Sequence, residues 1–431
     1  MMNQWQNTNG ASETFQETYR PAISEVWNNA RCRRSPEHRP KVFLYSHDTY
    51  GLGHLRRNLA IAEHLLARKP SFSVRLITGS PVIDTWRVPN GLDVTALPPV
   101  VKVGVETYAP RNSTLPFGLV KAYREAQILK AVIEGNPDIL LIDHAPAGMN
   151  AELLSTLTFI RHEMPNTHVI LGLRDILDDP ETVREIWERQ GIIPLLDCLY
   201  DSILVYGCSD LFDVVKAYGI PPRVAAKVSY CGYIARAPKR VAIAPVEEPA
   251  ILVTAGGGED GYFLMEAYLK ALAALPSARV RSRLVTGPLM SAAQRQSLDA
   301  LAGDNPGMEI IASTADLPTM LEQANLVVAM AGYNTSVEIV ASGKPAILVP
   351  RAAPRAEQRM RAAMLARLGH VWSLEPGPDL DVRLAHLVEA ALTGERPQLI
   401  EQALDLNGVS RVGDLLTAVS GTAKNELHLS S

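Results

Sequence analysis

The sequence predicts an α/β protein built from two Rossmann-like domains that face each other across a cleft. Three observations carry that expectation. From residue 41 onward, short apolar runs alternate with helical patterns, which implies parallel strands joined by crossover helices. The opening layout of strand, glycine loop and helix occurs twice, at 41–69 and at 250–275. Between the copies, 234-IARAPKRVAIAPVEEPA-250 breaks the pattern with Pro238, Pro245 and Pro249 and reads as an interdomain linker.

Residues 1–39 form a polar tail rich in Asn, Gln, Thr and Glu, without a long apolar period. The tail runs into 31-RCRRSPEHRPK-41, either a solvated linker or a weak contact for anionic lipid. The first domain is expected over 40–233, with strands at 41–45, 73–78, 139–143, 168–172 and 202–206. Its helices are expected at 55–68, 117–134, 149–162, 181–190 and 209–218. Strand cores such as 139-ILLI-142 are almost purely apolar, which suits strands buried on both faces. The segment 98–117 reads as a long loop of apolar and basic residues, a length that often serves function, and is expected to form a lid on the acceptor side. After the linker at 234–249, the second domain is expected over 250–395, with further strands at 281–286, 308–312, 325–329 and 345–349. Residues 396–431 complete the chain as a helical segment and tail.

Composition narrows the class of function. Of 431 residues, 47% are hydrophobic and 20% charged, enough for sizeable cores in two or three domains. The formal charge of -4 argues against a nucleic-acid binder, which needs a broad basic surface. Cys32, Cys198, Cys208 and Cys231 are scattered, without Cys-x-x-Cys or His/Cys metal spacing, so neither a disulfide framework nor a zinc site is expected. No apolar run approaches the ~18 residues of a membrane span, and the polar N-terminus does not resemble a signal peptide. A cytoplasmic protein is expected, with peripheral contact at the inner face of a membrane left open.

The glycine loops do not fit a dinucleotide. In the first, Arg56 stands where the third glycine belongs, and the next strand ends 76-LITGS-80 without the acid that holds a ribose. The second loop matches at Gly256, Gly258 and Gly261, yet its next strand ends 284-LVTGP-288, again without an acid. No P-loop is present. The most informative segment is 325-NLVVAMAGYNTSVEIVASGKPAILVP-350, which reads as strand, turn, helix and strand. The free N–H groups at a helix start near Asn334 or Thr335 form an anion site. Glu338 lies one turn in, where a carboxylate grips two ribose hydroxyls. Together these describe a nucleotide diphosphate. Thr335-x-x-Glu338 is equally the pattern of a capping box, which explains both residues without a ligand.

The run Ala331-Gly332-x-Asn334-Thr335-x-x-Glu338, followed by Gly343-x-Pro345, Val349-Pro350 and Gln358, resembles the donor-binding region of GT-B glycosyltransferases. The resemblance is nearest to the MurG-like, family 28-type group, whose founding member adds N-acetylglucosamine to a lipid-linked acceptor. It covers residues 41–375 and is specific in 325–358. It implies that Glu338 holds the donor ribose and that Gly332, Asn334, Thr335 and Ser336 cradle the diphosphate. Gln358 would contact sugar hydroxyls, and Gly257 and Gly258 would let the donor approach closely. Residues 310–314 would lie beside the base. On the acceptor side it implies Gly51, Gly53 and His54, the last as base or acceptor-positioning group. Two departures leave the sugar open: Glu357 replaces the first residue of a Gln-Gln pair, and Arg361 stands near an expected Asn.

Transfer with inversion needs a base on the acceptor hydroxyl and positive potential on the leaving diphosphate. Histidine suits the first near neutral pH, and a helix N-terminus supplies the second without a metal. No Asp-x-Asp motif supports a divalent cation at the donor, and no cofactor is expected beyond the donor itself. His54 is the candidate base; a helix-start residue packed under the loop is the plainer alternative. His47 and Asp48 share its loop and could replace or orient it. Asp143, at the end of a buried strand, is a candidate orienter or else a turn or capping residue. Arg174 could meet an anionic acceptor or form a surface ion pair with Asp175. The expected activity is sugar transfer, an N-acetylhexosamine or hexose from a UDP-linked donor to a glycan, lipid-linked or small-molecule acceptor. Two alternatives share the fold: a nucleotide-sugar epimerase, and a nonenzymatic partner subunit.

Overall fold

The structure, a computed structural model, describes residues 39–48, 52–68, 71–104, 107–111, 113–236, 249–275, 280–314, 317–351, 353, 355–398 and 404–421. Residues 1–38 of the expected tail over 1–39, most of the linker, and Gly51 lie outside these residues.

The first half is ordered as β1 (Lys41–Ser46), α1 (Gly53–Ala67), β2 (Ser73–Thr78), β3 (Leu92–Ala96), β4 (Val100–Gly104), β5 (Thr107–Pro110), α2 (Phe117–Gly135) and β6 (Ile139–Asp143). It continues through α3 (Leu154–Glu163), β7 (His168–Arg174), α4 (Pro180–Gln190), α5 (Ile192–Leu199), β8 (Ser202–Tyr206), α6 (Val214–Ala217), α7 (Pro222–Ala225) and β9 (Val228–Tyr230). Seven of these strands form one parallel sheet in the order β3-β2-β1-β6-β7-β8-β9. Its central strand β6 is buried at every residue, as its apolar run requires.

The second half repeats the plan with β10 (Ala250–Thr254), α8 (Tyr262–Ala273), β11 (Arg281–Val285), α9 (Ala292–Ala302), β12 (Met308–Ile311), α10 (Leu317–Gln323), β13 (Leu326–Ala329) and α11 (Tyr333–Ser342). Then come β14 (Ala346–Leu348), α12 (Glu357–Arg367), β15 (Trp372–Ser373), α13 (Leu380–Leu392) and α14 (Gly408–Gly421). The six strands are parallel in the order β12-β11-β10-β13-β14-β15. Both sheets are therefore wound outward from their first strand in opposite directions. Each has a switch point, between β1 and β6 and between β10 and β13. In open α/β sheets, ligands bind outside the strand ends at that point.

Three expectations need correction. Residues 98–117 are not an open loop: β4 and β5 pair antiparallel, and the hairpin packs on α2 through Val100, Val120 and Met149 with Tyr108 and Phe117. The helix expected from 149 begins at Leu154, because residues 149–151 form a 3₁₀ turn with Asn150 at φ 46°. The helix expected over 209–218 shrinks to Val214–Ala217. Asp213 caps it there, accepting from the Val215 and Lys216 amides. The expected C-terminal helical segment is α14, which crosses back onto α1, where Arg68 meets Asp414 at 2.8 Å. Among the described residues no helix is long and apolar enough to cross a membrane.

Candidate active site

The residues around the first switch point come from β1, α1, β6 and β7. The chain leaves β1 at His47, and α1 starts at Gly53 without a side-chain cap. His54 and Arg57 are one turn apart, so both face the end of β6. There Asp143 receives both. His54 Nδ1 lies 2.6 Å from Asp143 Oδ2. Arg57 donates to both carboxylate oxygens, at 2.8 and 2.7 Å from Nη2 and 3.0 Å from Nε. A carboxylate at Nδ1 selects the tautomer with the proton there and leaves Nε2 as the basic nitrogen. His54 lines the cleft, while Asp143 is buried behind it. His144 follows in the left-handed region, φ 70°, which returns its ring to within 5.0 Å of the His54 ring. His47 completes a cluster at 5.8 and 6.1 Å from the other two rings. Among the described residues no group of three His, Cys, Asp or Glu has the arrangement of a metal site.

Charge in this cluster is set by burial. Burial lowers the His54 pKa below its ordinary value, opposed by Asp143 and reinforced by Arg57 and Arg174. His47 and His144 are pushed lower still, by burial and by neighbouring cations. Burial pushes Asp143 up, but Arg57 and His54 together hold it below the usual carboxylate range. Burial brings Arg174, at the end of β7, to about 10. Arg174 does not pair with Asp175 as one reading allowed. Asp175 instead binds Arg361 of α12 at 2.8 Å, both 1% exposed, and Arg174 lines the cleft with a buried, unpartnered Nε.

Across the cleft, the second switch point presents Gly257 and Gly258 after β10 and the start of α11 after β13. Here the helix begins at Tyr333 with Gly332 as N-cap, and no side chain caps it. The capping box at Thr335 and Glu338 is therefore not formed, since Thr335 already lies inside the first turn. The shift also changes Ser336. Its amide donates to Gly332 O at 2.9 Å and so is not among the free N–H groups, which belong to Tyr333, Asn334 and Thr335. The Asn334 side chain donates to Gly53 O at 2.8 Å, joining the starts of α11 and α1. Gly258, at φ 97°, is required for a further reason: a Cβ there would stand 2.4 Å from Thr286 O.

Gly257, Gly258, Gly332, Asn334, Thr335 and Gln358 line one cleft with His54, Gly53 and Arg174. The cleft is partly open to solvent. Ser313 and Thr314 form part of its wall. His47, Ser336 and Glu338 do not line it. Arg56, which does, stands in front of Glu338 and forms an ion pair with it, the two side chains 11% and 8% exposed. The departure at Glu357 is likewise absorbed by an arginine: Arg351 pairs with Glu357 and reaches Asp260 at 3.0 Å. Gln358 Oε1 accepts from the Arg351 amide at 3.2 Å.

Sequence reasoning missed four arginines of this site: Arg56, Arg57, Arg236 and Arg351. A signal existed for Arg57, which lies three residues from His54 on the same helix face. Arg236 follows the last residues of the first domain and lines the cleft with a buried, unpartnered Nε. Nothing in its Pro-rich surroundings pointed to a site.

Two Rossmann-like domains whose switch points share a cleft are the architecture of the GT-B class. In keeping with this, the structure superimposes on that of Acinetobacter baumannii MurG with a TM-score of 0.54 and 15% identity, covering 88% of this chain and 99% of the other. Residues 250–393 match the glycosyltransferase family 28 C-terminal domain. Similar sequences include the UDP-N-acetylglucosamine--N-acetylmuramyl-(pentapeptide) pyrophosphoryl-undecaprenol N-acetylglucosamine transferase of Methylobacterium nodulans, 30% identical over 214 residues, 48% of this chain and 52% of that protein. The protein of that name from Solidesulfovibrio magneticus is 27% identical over 346 residues, 76% of this chain and 84% of its own. The chain spans about half the length of the Methylobacterium nodulans relative. These likenesses show the GT-B fold and, over residues 250–393, a family 28-type C-terminal domain.

Proposed function

We propose that the chain is a glycosyltransferase that moves an N-acetylhexosamine or hexose from a UDP-linked donor to an acceptor hydroxyl, with inversion and without a metal. The observation that carries this reading is the His54–Asp143 pair standing across one cleft from the uncapped start of α11. His54 Nε2 takes the acceptor proton as the oxygen attacks the anomeric carbon. The bond from that carbon to the diphosphate oxygen breaks on the opposite face, so a single displacement inverts the centre. The leaving charge falls on the free N–H groups of Tyr333, Asn334 and Thr335 and on Arg236. Glu338 receives the ribose hydroxyls once Arg56 has moved aside, and Gln358 meets the sugar.

The relatives named above act on a polyprenol-linked acceptor, and a lipid-borne acceptor is our reading here. Its support is a set of exposed apolar side chains along one stretch of the chain. Val103 of the hairpin, Leu115 just before α2, and Leu119 and Tyr123 in the first turns of α2 are 53–60% exposed, with Lys102 and Lys121 near them in sequence. Apolar and basic residues together suit the interface of an anionic bilayer. The protein would act peripherally at the cytoplasmic face of a membrane, in cell-envelope or polysaccharide synthesis.

The test is calorimetric titration with UDP, dTDP and GDP, followed by UDP-sugar turnover with and without polyprenyl-linked acceptors. Acceptor-dependent UDP release supports the reading. Conversion of UDP-sugar without acceptor would replace it with epimerisation, and failure to bind any diphosphate would replace it with a nonenzymatic partner. Sedimentation with anionic vesicles, lost in Leu119→Glu, checks the lipid surface.

A further inference from the structure

Arg57 is an unusual residue to find in this place. Its side chain is 1% exposed, and burying such a cation is costly unless geometry compensates. Three of its hydrogen bonds go to Asp143. Its Nη2 also lies 3.1 Å from His54 Nδ1, and two tyrosine rings flank it, with the guanidinium carbon 5.6 Å from the centroid of Tyr206 and 5.4 Å from that of Tyr333, both within reach of a cation–π contact. Tyr206 ends β8 in the first domain. Tyr333 is the first residue of α11 in the second. Its hydroxyl donates to Tyr206 O at 2.9 Å and accepts from the Ile234 amide at 3.0 Å. Arg361 also lies over the Tyr333 ring, at 5.5 Å, while bound to Asp175. The ring that opens the donor helix thus sits between two guanidinium groups, each tied to a carboxylate of the first domain.

We propose that Arg57 is a positioning residue: it holds Asp143 in the orientation that aims His54, and through Tyr333 it makes that aim depend on the docking of the donor domain. The inference rests on the transferase reading of this cleft. If the domains part, Tyr333 withdraws and one side of Arg57 opens to water. The clamp on Asp143 loosens, and the base is no longer fixed. The His54 base is therefore complete only while the helix that receives the leaving diphosphate is in contact with it. The groups facing His54 are Asp143, Arg57, His47, Asp48, His144 and Arg174, from β1 and the turn after it, α1, β6 and the turn after it, and β7. Arg57 is the one that also touches the second domain's donor helix.

Two readouts test this, one of them independent of turnover. The first is the NMR titration of the His54 ring in the full chain. Removing the cation beside it in Arg57→Gln should raise its pKa by about one unit or more. Tyr333→Leu should move it in the same direction, while Tyr333→Phe should leave it at the wild-type value. Both Tyr333 variants lose the hydroxyl bonds, so their difference isolates the ring face. The second is acceptor-dependent UDP release. Arg57→Gln should lower kcat about 10- to 100-fold, a part of what a general base supplies, and move the acid limb of the profile upward. UDP affinity should stay within about twofold, and Arg57→Lys should recover part of the rate. An unmoved His54 titration in both Arg57→Gln and Tyr333→Leu overturns the proposal. A wild-type protein without transferase activity but with these titration shifts would instead overturn the reading of function while leaving the positioning intact. Should Arg57→Gln fail to fold, the Tyr333→Leu and Tyr333→Phe pair decides alone.

Discussion

Replacing Arg56 with alanine should make the protein bind UDP more tightly. In the described cleft Glu338 is not free: Arg56 covers it in an ion pair whose members are 11% and 8% exposed. A donor ribose that uses this carboxylate must first break the pair. Hydrogen bonds to charged groups contribute about 1.5–3 kcal/mol net. The released guanidinium remains in the cleft and regains part of that from water, so the barrier to the donor is about 1–2 kcal/mol. Removing it corresponds to a roughly 5- to 30-fold lower Kd. The free variant should also melt earlier, because Glu338 stays buried without its partner, and UDP should restore more of its Tm than in the wild type. The pair is shielded, so the difference between the proteins should persist at 0.5 M salt, where exposed charges are screened. Calorimetric titration without acceptor measures it. An Arg56→Ala Kd equal to or weaker than wild type would refute the reasoning and make Arg56 a contact of the diphosphate instead.

Four further outcomes follow from the same geometry. Glu338→Ala should weaken UDP binding by about 1–3 kcal/mol, and since no capping bond exists there, the loss should not appear as the stability change of a missing cap. His54→Ala should slow transfer by about 10²–10⁴ with UDP affinity kept; near-normal turnover removes it as the base. Arg361→Leu leaves Asp175 buried and unpaired, so urea unfolding should show a loss of about 3–5 kcal/mol. His47 and His144 have folded pKa values well below 6.5. Below 6.5 the unfolded chain therefore binds protons that the folded chain refuses. Stability is full above pH 6.5 and falls as pH drops through that window, so Tm should decrease from pH 7 to pH 5, less steeply in His144→Asn.

The framework was legible because parallel strands buried on both faces leave uninterrupted apolar runs, such as Ile139–Ile142 and Leu326–Ala329. The glycine loops after β1 and β10 marked both switch points. Elements with weak or mixed patterns were missed: β3 is half-exposed, β9 is three residues long, and the hairpin of β4 and β5 lies outside both sheets. Within the site, His54 and Asp143 were readable as residues that chemistry needs, at ends of strands where ligands bind. Their pairing was not, because it joins residues 89 apart in sequence. The helix start at 333 was misplaced since Thr335-x-x-Glu338 satisfies the capping pattern by type, and only backbone geometry shows that Gly332 is the cap.

The arginines change how the cleft must be understood. Four carboxylates of this region each carry a guanidinium: Asp143 has Arg57, Glu338 has Arg56, Glu357 has Arg351, and Asp175 has Arg361. A cleft with such internally balanced pairs does not attract cations, despite its acids. Arg174 and Arg236 line it without a hydrogen-bonded carboxylate among the described residues, and they tip the balance toward anions. That excess matches a diphosphate donor, whose charge the uncapped end of α11 then fixes in place. It also explains how a chain of net charge -4 can receive an anionic substrate: local pairing, not overall composition, sets the potential where the ligand sits.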